Sequence, residues 1–485
     1  MAKKVVIVGA GVGGLAAACR LAKDGYEVEV YEKLSNCGGR NNIIEDRGYK
    51  FDTGPSLIIM PDLISELFSY CGRNIQKYLE LRIVDPSYRI FYDDGEILNI
   101  YRNSRSTMEE MERMEFNSGA QFNKFFQETA RIYNIIRPHL YSSLTPWSLV
   151  CPHYWGLIAK TRIFQSYWKL VRKYFESDKL CHAFTFGAVF MGLPAYQAPA
   201  FLSLINYAEH AQKISFPIGG MYQIPLALEK LAKELGVNIY YDSPVENIRR
   251  KDGQILLTRG ASQIQADYAV INADYPYSQS GLLKRSVKQY KYSSSIYSIF
   301  LGIKRRPAEL LHYNLFFSKD PTRNLEEIFE SGFHPADPTF YAYLPTLTDP
   351  YLAPTGKDIL HLMIPVPNLK NDRSDLKDHE SRLRMQAFDK INKVCSCNLE
   401  EYIEAEHRFY PEDFIGRYNI KFGASFGLAH NLTQSGFWRP SNSDPWIKNL
   451  YYCGASTQPA GGLSLVIAGS KIVADLINKK KTGSA

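Results

Sequence analysis

No apolar run in this sequence reaches the roughly 18 residues that a membrane-crossing helix needs, so a bilayer-spanning protein is not expected. Cysteine is thinly spread: Cys19, Cys37, Cys71, Cys151, Cys181, Cys395, Cys397 and Cys453 include no CxxC pair. That spacing argues against a zinc site and against a disulfide framework, and it leaves reduced thiols in the cytosol as the expectation. The CSC at 395–397 reads as incidental. Internal repeats and low-complexity segments are also missing. An export signal is not expected either, because the apolar run of MAKKVVIVGAG breaks after four residues and reads as a strand.

Charge of one sign is in small excess. The net value of +7 is scattered and comes with no recognition motif, which excludes nucleic acid as an expected partner. It fits a mild attraction to anionic membrane surfaces, or an ordinary basic surface. What the chain does have is size and aromatic residues. At 485 residues it exceeds one hydrophobic core, so two or more domains are expected. Aromatics make up 13%, 33 tyrosines among them, which suits a large apolar cavity or a tyrosine-rich core.

Lys4 to Val8 (KVVIV) is a β-type run, followed by GAGVGG and then LAAACRLAKDG, a helical pattern that stops at Gly25. EVEVYEK alternates as a second strand ending at Glu32. Together they make a β-α-β unit of dinucleotide-binding type. Further on, residues 224–258 read helix, stop at Gly236, strand, turn, strand, and ADYAVINAD adds a buried strand. The runs at 296–304 and 359–367 imply a second sheet, residues 107–174 are mostly helical in pattern, and the terminal KKKTGSA reads as a frayed tail.

From Leu180 to Ala208 there is no Asp, Glu, Lys or Arg. Gly192–Pro194 and Pro199 divide this stretch into two segments. They fit either two buried core helices or the wall of a tunnel for an apolar ligand. Just before it, Trp147, Trp155 and Trp168 occur together with Lys160, Arg162, Lys169, Arg172 and Lys173. Tryptophan beside cations suits a membrane-docking helix, or a surface helix packed by its tryptophans.

In GAGVGG, Gly9 permits the turn after the strand, Gly11 lets the backbone approach a pyrophosphate, and Gly14 lets helix and strand pack closely. The helix N-terminus offers free amides to an anion. Glu32 is placed to accept hydrogen bonds from ribose hydroxyls, which disfavours a 2′-phosphate. KLSNCGGR then sets Gly39 and Arg40 beside the second strand, Arg40 as a fixed charge for the pyrophosphate. Asp52, Gly54 and Pro55 form a tight turn in GYKFDTGPS.

EKLSNCGGR with GYKFDTGP resembles the glutathione-reductase-type FAD flavoproteins, in the branch of amine oxidases and carotenoid desaturases. NLYYCGASTQPAGGLSLVIAGSKIVADLI is similar to that branch's C-terminal strand, glycine loop and helix. With DTGPSLIIMPDLISELF, FPIGGMYQIPLALEKLAKELGVNI, HYNLFFSKD and IKFGASFGLAHNLTQSGFWRP, nearly the whole chain resembles bacterial phytoene desaturases, particularly the 4,4′-diapophytoene (dehydrosqualene) desaturases. The paired aromatics and catalytic lysine of amine oxidases find no matching motif.

The resemblance implies an α/β glutathione-reductase-type FAD-binding Rossmann fold, with an inserted mixed-sheet substrate domain and a helical membrane-facing part. Residues 1–80, 215–282 and 415–485 would form the FAD domain, 81–106 and 283–414 the substrate domain, and 107–214 the helical part. Gly9, Gly11, Gly13, Gly14, Glu32, Gly39 and Arg40 would bind the adenosine diphosphate of FAD, with Gly54 and Pro55 in the same site. Val245 would meet the adenine edge through its backbone. Gly454, Gly461, Gly462, Leu463, Ser464 and Leu465 would approach the ribityl chain and flavin ring. Gln458, Ala460 and Ser464 depart from the family's His-Pro-Gly-x-Gly-x-Pro pattern, where substrate should meet flavin.

The implied activity is desaturation of an acyclic C30 or C40 isoprenoid, by hydride transfer to flavin and loss of the adjacent proton. A weak base suffices for that proton, and no residue is assigned to it; Asp52 and the histidines read as structural. The implied partners are an apolar polyene, a membrane surface, and oxygen or a quinone as electron acceptor, with the protein cytoplasmic and peripherally membrane-bound. A carotenoid isomerase, a terminal-methyl oxygenase and a lipid-binding flavoprotein without turnover remain as alternatives.

Overall fold

The computed structural model describes residues 2–374 and 376–481. KVVIV forms the strand Lys4–Val8, buried at every position after Lys4. Burial on both faces is what a parallel sheet between two layers requires, and this strand is the middle of five. Their order is Leu450–Tyr452, Tyr268–Ile271, Lys4–Val8, Glu27–Tyr31, Asn238–Tyr240, all parallel. Stretches more than 400 residues apart in sequence thus end on one sheet edge.

The helix Val12–Lys23 covers this sheet, packed against the helices Gln223–Glu234 and Leu463–Lys481. Its buried face carries Gly13, Gly14 and Ala16 to Ala18, small residues that admit close neighbours. Arg20 is buried there too; its guanidinium donates to Ser470 Oγ at 3.0 Å and forks onto Glu66. Lys479 to Lys481, expected to fray, continue the last helix; residues 482–485 lie outside the described residues.

A second, seven-stranded sheet runs Ile403–Phe409, Ser295–Ile303, Asp358–Val366, Phe340–Tyr343, Tyr313–Phe316, Tyr88–Phe91, Ile97–Ile100. All pairs are antiparallel except 313–316 with 88–91, so the sheet is mixed. Side chains alternate along Ser295–Ile303. Ile299, Leu301 and Ile303 pack with Leu383, Ala387 and Ile391 of the long helix Leu376–Cys395, while Ile296 and Phe300 join the core of the first sheet.

Residues 104–212 are mainly helical, with turns and short extended stretches between the helices. The uncharged stretch folds as the end of the helix Asp178–Thr185, a tight turn Phe186–Met191, a left-handed Gly192 (φ 79°), a short turn Ala200–Ser203 and the start of the helix Leu204–Gln212. A Cβ on Gly192 would stand 2.3 Å from Ser293 Cβ, so no other residue fits. Among the described residues no helix is long and apolar enough to cross a membrane. Trp147 and Trp155 are exposed, at 81% and 68%, but Trp168 is not. Its ring packs on His182 at 4.7 Å, because its side of the helix Tyr167–Val171 faces the interior. Arg162 and Arg172 are paired with Glu128 and Asp178, and Arg172, Lys160, Lys169 and Lys173 are the exposed cations of that group.

Candidate functional site

A cavity of about 600 Å³ opens where the parallel strands end. Gly9, Gly11, Gly13, Glu32, Gly39, Arg40, Gly54, Pro55, Val245, Gly454, Gly461, Gly462, Leu463, Ser464 and Leu465 all line it. Gly14 alone of the expected residues does not. A Cβ there would lie 2.1 Å from Gly9 O, so this glycine serves the helix–strand contact.

At one end the chain leaves its first strand through Gly9 (φ 104°), a conformation that favours glycine. The helix that follows starts at Gly11 with no side-chain cap, so its first amides, at Val12 and Gly13, open onto the cavity. Glu32 is fixed beside them. One carboxylate oxygen accepts from Ala10 N–H at 2.7 Å and the other from Leu34 N–H at 2.9 Å. Burial raises the pKa of this carboxyl above the usual range, and the two amides oppose that shift. Arg40 donates to Ser425 O at 3.0 Å and faces Asp274, which accepts from Ser456 Oγ at 2.8 Å. Free helix-start amides, a held carboxylate and a half-buried guanidinium are the donor and acceptor set that the diphosphate and ribose of FAD require, and the residues fit that cofactor.

Sequence reasoning missed Asn272. Its carboxamide stands 2.6 Å from where a Cβ on Gly11 would be, so Gly11 is needed first for this side chain. Asn272 N–H donates to Val8 O, and its side chain donates to Cys453 O at 2.5 Å, tying three strand ends together. Cys453 in turn donates to Gly13 O at 3.3 Å. This joint brings the two glycine-rich loops to one cavity. The position of Asn272, first residue after a parallel strand beside Lys4–Val8, is the signal that would have found it.

His430, also missed, spans the other loop. Gly461 N–H donates to its Nε2 at 3.0 Å, and its Nδ1 donates to Met191 O at 3.0 Å. These partners define a neutral ring, and burial beside Arg439 holds its pKa well below the usual histidine range. Arg439 donates to the carbonyls of Thr457, Gln434 and Ala455 behind the loop; burial pulls it down to about 9. The three departures from the family pattern are accommodated. The Gln458 carboxamide accepts from Leu144 N–H at 2.9 Å and donates to Gly436 O at 3.0 Å, and Ser464 Oγ donates to Ile59 O. Ala460 lines the cavity without a side-chain bond.

Asp52 lies outside the cavity wall. Its carboxylate accepts from Met221 N–H at 2.8 Å and Tyr222 N–H at 3.0 Å, just before the helix Gln223–Glu234, and burial raises it to about 7. That is a structural role, as expected.

Away from the dinucleotide end the lining turns apolar. Gly187, Phe190, Met191, Phe201, Leu202, Leu204 and Ile205, from the uncharged stretch, form one wall. Leu180, Cys181, Ala188 and Leu193 of the same stretch are core, so core and tunnel-wall readings each describe part of it. Leu144, Leu157 and Ile163 also line the cavity, in the segment that exposes Trp155 and Phe164.

Residues 12–477 match the family model described as flavin containing amine oxidoreductase. The chain is 38% identical to a zeta-carotene-forming phytoene desaturase of Myxococcus xanthus, over 98% of this chain and 93% of the relative. It is 31% identical to a 4,4′-diapophytoene desaturase (4,4′-diaponeurosporene-forming) of Staphylococcus aureus, over 97% and 98%. Among solved structures, an oxidoreductase from Methanosarcina mazei superimposes with a TM-score of 0.67 at 17% identity, over 97% of this chain and all of that one, a likeness of fold.

Proposed function

The chain belongs to the flavin-containing amine oxidoreductase family, and we propose that it is an FAD-dependent desaturase of an acyclic C30 or C40 isoprenoid, of the dehydrosqualene or phytoene type. The observation that carries this reading is a single cavity with a dinucleotide-type end and an apolar end. The desaturases among its relatives act on molecules of this kind. Bound FAD supplies the hydride acceptor.

The protein's part is placement and electrostatics. The amides at Val12 and Gly13, with Arg40, would hold the diphosphate, and Glu32 the ribose. The loop Gly454 to Leu465, braced by His430, Arg439 and Gln458, would set the ring end against the apolar wall. Phe190, Phe201, Leu202, Leu204 and Ile205 would bind a polyene by contact area and keep water from it. The aromatic faces of Phe190 and Phe201 stabilise positive charge developing on the chain.

In this reading a membrane holds the substrate and the protein docks on it. Trp147, Trp155 and Phe164 stand 81%, 68% and 78% exposed on a segment whose Leu144, Leu157 and Ile163 line the cavity. Oxygen or a membrane quinone would reoxidise the flavin.

Expression in a host that accumulates colourless phytoene or dehydrosqualene tests the reading. New visible absorption is the expected result. No colour from either precursor, with FAD bound to the purified protein, would overturn it. Action only on an already coloured poly-cis chain would identify an isomerase instead.

A further inference from the structure

Loss of a hydride and a proton needs a proton acceptor beside the chain, and the cavity offers few. Among the described residues three carboxyl groups line it: Glu32, Asp274 and Glu209. Glu32 is held by two amides at the dinucleotide end, and Asp274 faces Arg40. His430 has both nitrogens engaged, and His139, which also lines the cavity, has its ring 5.6 Å from that of His153, with burial and that neighbour lowering its pKa below the usual histidine range. His361 is stacked on Phe300 at 4.1 Å, and burial holds it at about 3, too weak a base.

Glu209 is different. It lies on the helix Leu204–Gln212, one residue past the uncharged stretch. With Tyr88, Gly187 and Phe190 it borders both the main cavity and an apolar side chamber of about 80 Å³, lined by Phe122, Phe126, Phe184 and Phe186. Tyr88 Oη donates to its carboxyl at 3.0 Å, and no cation pairs with it among the described residues. The titratable groups facing it are Tyr88 and Tyr341 from the mixed sheet and Tyr167 from the helix Tyr167–Val171. His210, next on its own helix, is hydrogen-bonded to Ser104. A carboxyl with one phenolic hydrogen bond and no ion pair among the described residues is costly to keep in an apolar wall.

We propose that Glu209 is the catalytic base of the desaturation, positioned by Tyr88. This rests on the desaturase reading above. The hydride leaves one carbon with both electrons of its C–H bond, for the oxidant FAD. The proton leaves the neighbouring carbon for the Glu209 carboxylate, and the electron pair of that second C–H bond becomes the new π bond. Glu209 ends as a neutral acid, which the apolar wall tolerates. Burial lifts its carboxyl to about 7, so both forms are accessible near neutral pH.

Glu209→Gln keeps the shape and an oxygen for Tyr88 but cannot take a proton. In the purified holoenzyme, kcat should fall about 100-fold or more, with FAD occupancy and KM unchanged, and Glu209→Asp should restore part of it. Wild-type kcat should rise with pH through an inflection near 7 that the Gln variant lacks. Infrared difference spectra should show protonated-carboxyl absorbance that disappears across the same range, and the Gln variant should retain only the share that the buried Asp52 contributes. If the Gln variant folds poorly, Tyr88→Phe should move the wild-type inflection upward, since the carboxylate loses its donor. A Gln variant within about threefold of wild-type kcat, or an inflection unmoved in Tyr88→Phe, would overturn the assignment alone. A wild-type protein that desaturates neither precursor would sink the underlying reading and this one with it.

Discussion

Replacing Glu32 by alanine strips two backbone amides of their acceptor at once. The carboxylate is 5% exposed and holds Ala10 N–H at 2.7 Å and Leu34 N–H at 2.9 Å. A hydrogen bond to a charged group contributes about 1.5–3 kcal/mol, so the pair is worth roughly 3–6 kcal/mol before water from the cavity satisfies some of it. Ala10 sits between Gly9 and Gly11, so the loss loosens the turn that must meet the diphosphate. Glutamine keeps an acceptor for one amide and turns an NH2 toward the other, and should lie between alanine and wild type. The assay is the flavin-to-protein absorbance ratio of purified protein, followed by the melting midpoint after flavin is stripped. Glu32→Ala should lose at least tenfold in FAD occupancy and melt lower even without flavin. Wild-type occupancy would refute the site. Lost occupancy with an unchanged flavin-free midpoint would refute the amide-holding argument, leaving only a direct contact with ribose.

Gly14→Ala would drive a Cβ to 2.1 Å from Gly9 O, and the overpacking cost of about 1–3 kcal/mol outweighs the gain of about 1 kcal/mol in helix propensity. It should lower melting temperature and FAD occupancy together, whereas Gly156→Ala, with open space around its new Cβ, should be neutral or stabilising; equal behaviour in a thermal melt would contradict this. Burial holds His312 at about 3, below its unfolded value of about 6.5, so the stability it contributes is present above about pH 6.5 and lost as pH falls toward 3. Asp52, raised to about 7, works in the opposite sense as pH rises from about 4 to 7, so the test is a difference: His312→Gln should flatten the acid side of the stability curve, and parallel curves would refute it. Trp155→Ala with Phe164→Ala should reduce sedimentation with anionic vesicles at least tenfold while leaving the melting midpoint unchanged, since both side chains are exposed; undiminished sedimentation would rule out docking through this segment.

The parts of the site legible in sequence were those where backbone geometry restricts the residue. Gly9 needs a positive φ, Gly14 a bare Cα against Gly9 O, and each lies in a strand–loop–helix whose pattern is local. Glu32 follows from the length of the second strand. Asn272 and His430 were not legible, because each acts on a loop far away in the chain: Asn272 on Gly11 and Cys453, His430 on Met191 and Gly461. Trp168 shows the limit of composition: its kind suggested a membrane surface, but its side of a five-residue helix faces the core. Glu209 escaped notice because the uncharged stretch was defined by where charge stops, and the residue of interest is the one that ends it.

An anaerobic single turnover shows whether the bound flavin itself takes the hydride from the polyene. Purified protein with FAD bound is mixed with phytoene or dehydrosqualene in vesicles, without oxygen or quinone, and the near-ultraviolet and visible spectra are followed. Loss of the oxidised flavin band is expected in step with the rise of a longer conjugated chromophore, one new double bond for each flavin reduced. A flavin that stays oxidised with both precursors, or that is reduced with no new chromophore, would contradict it.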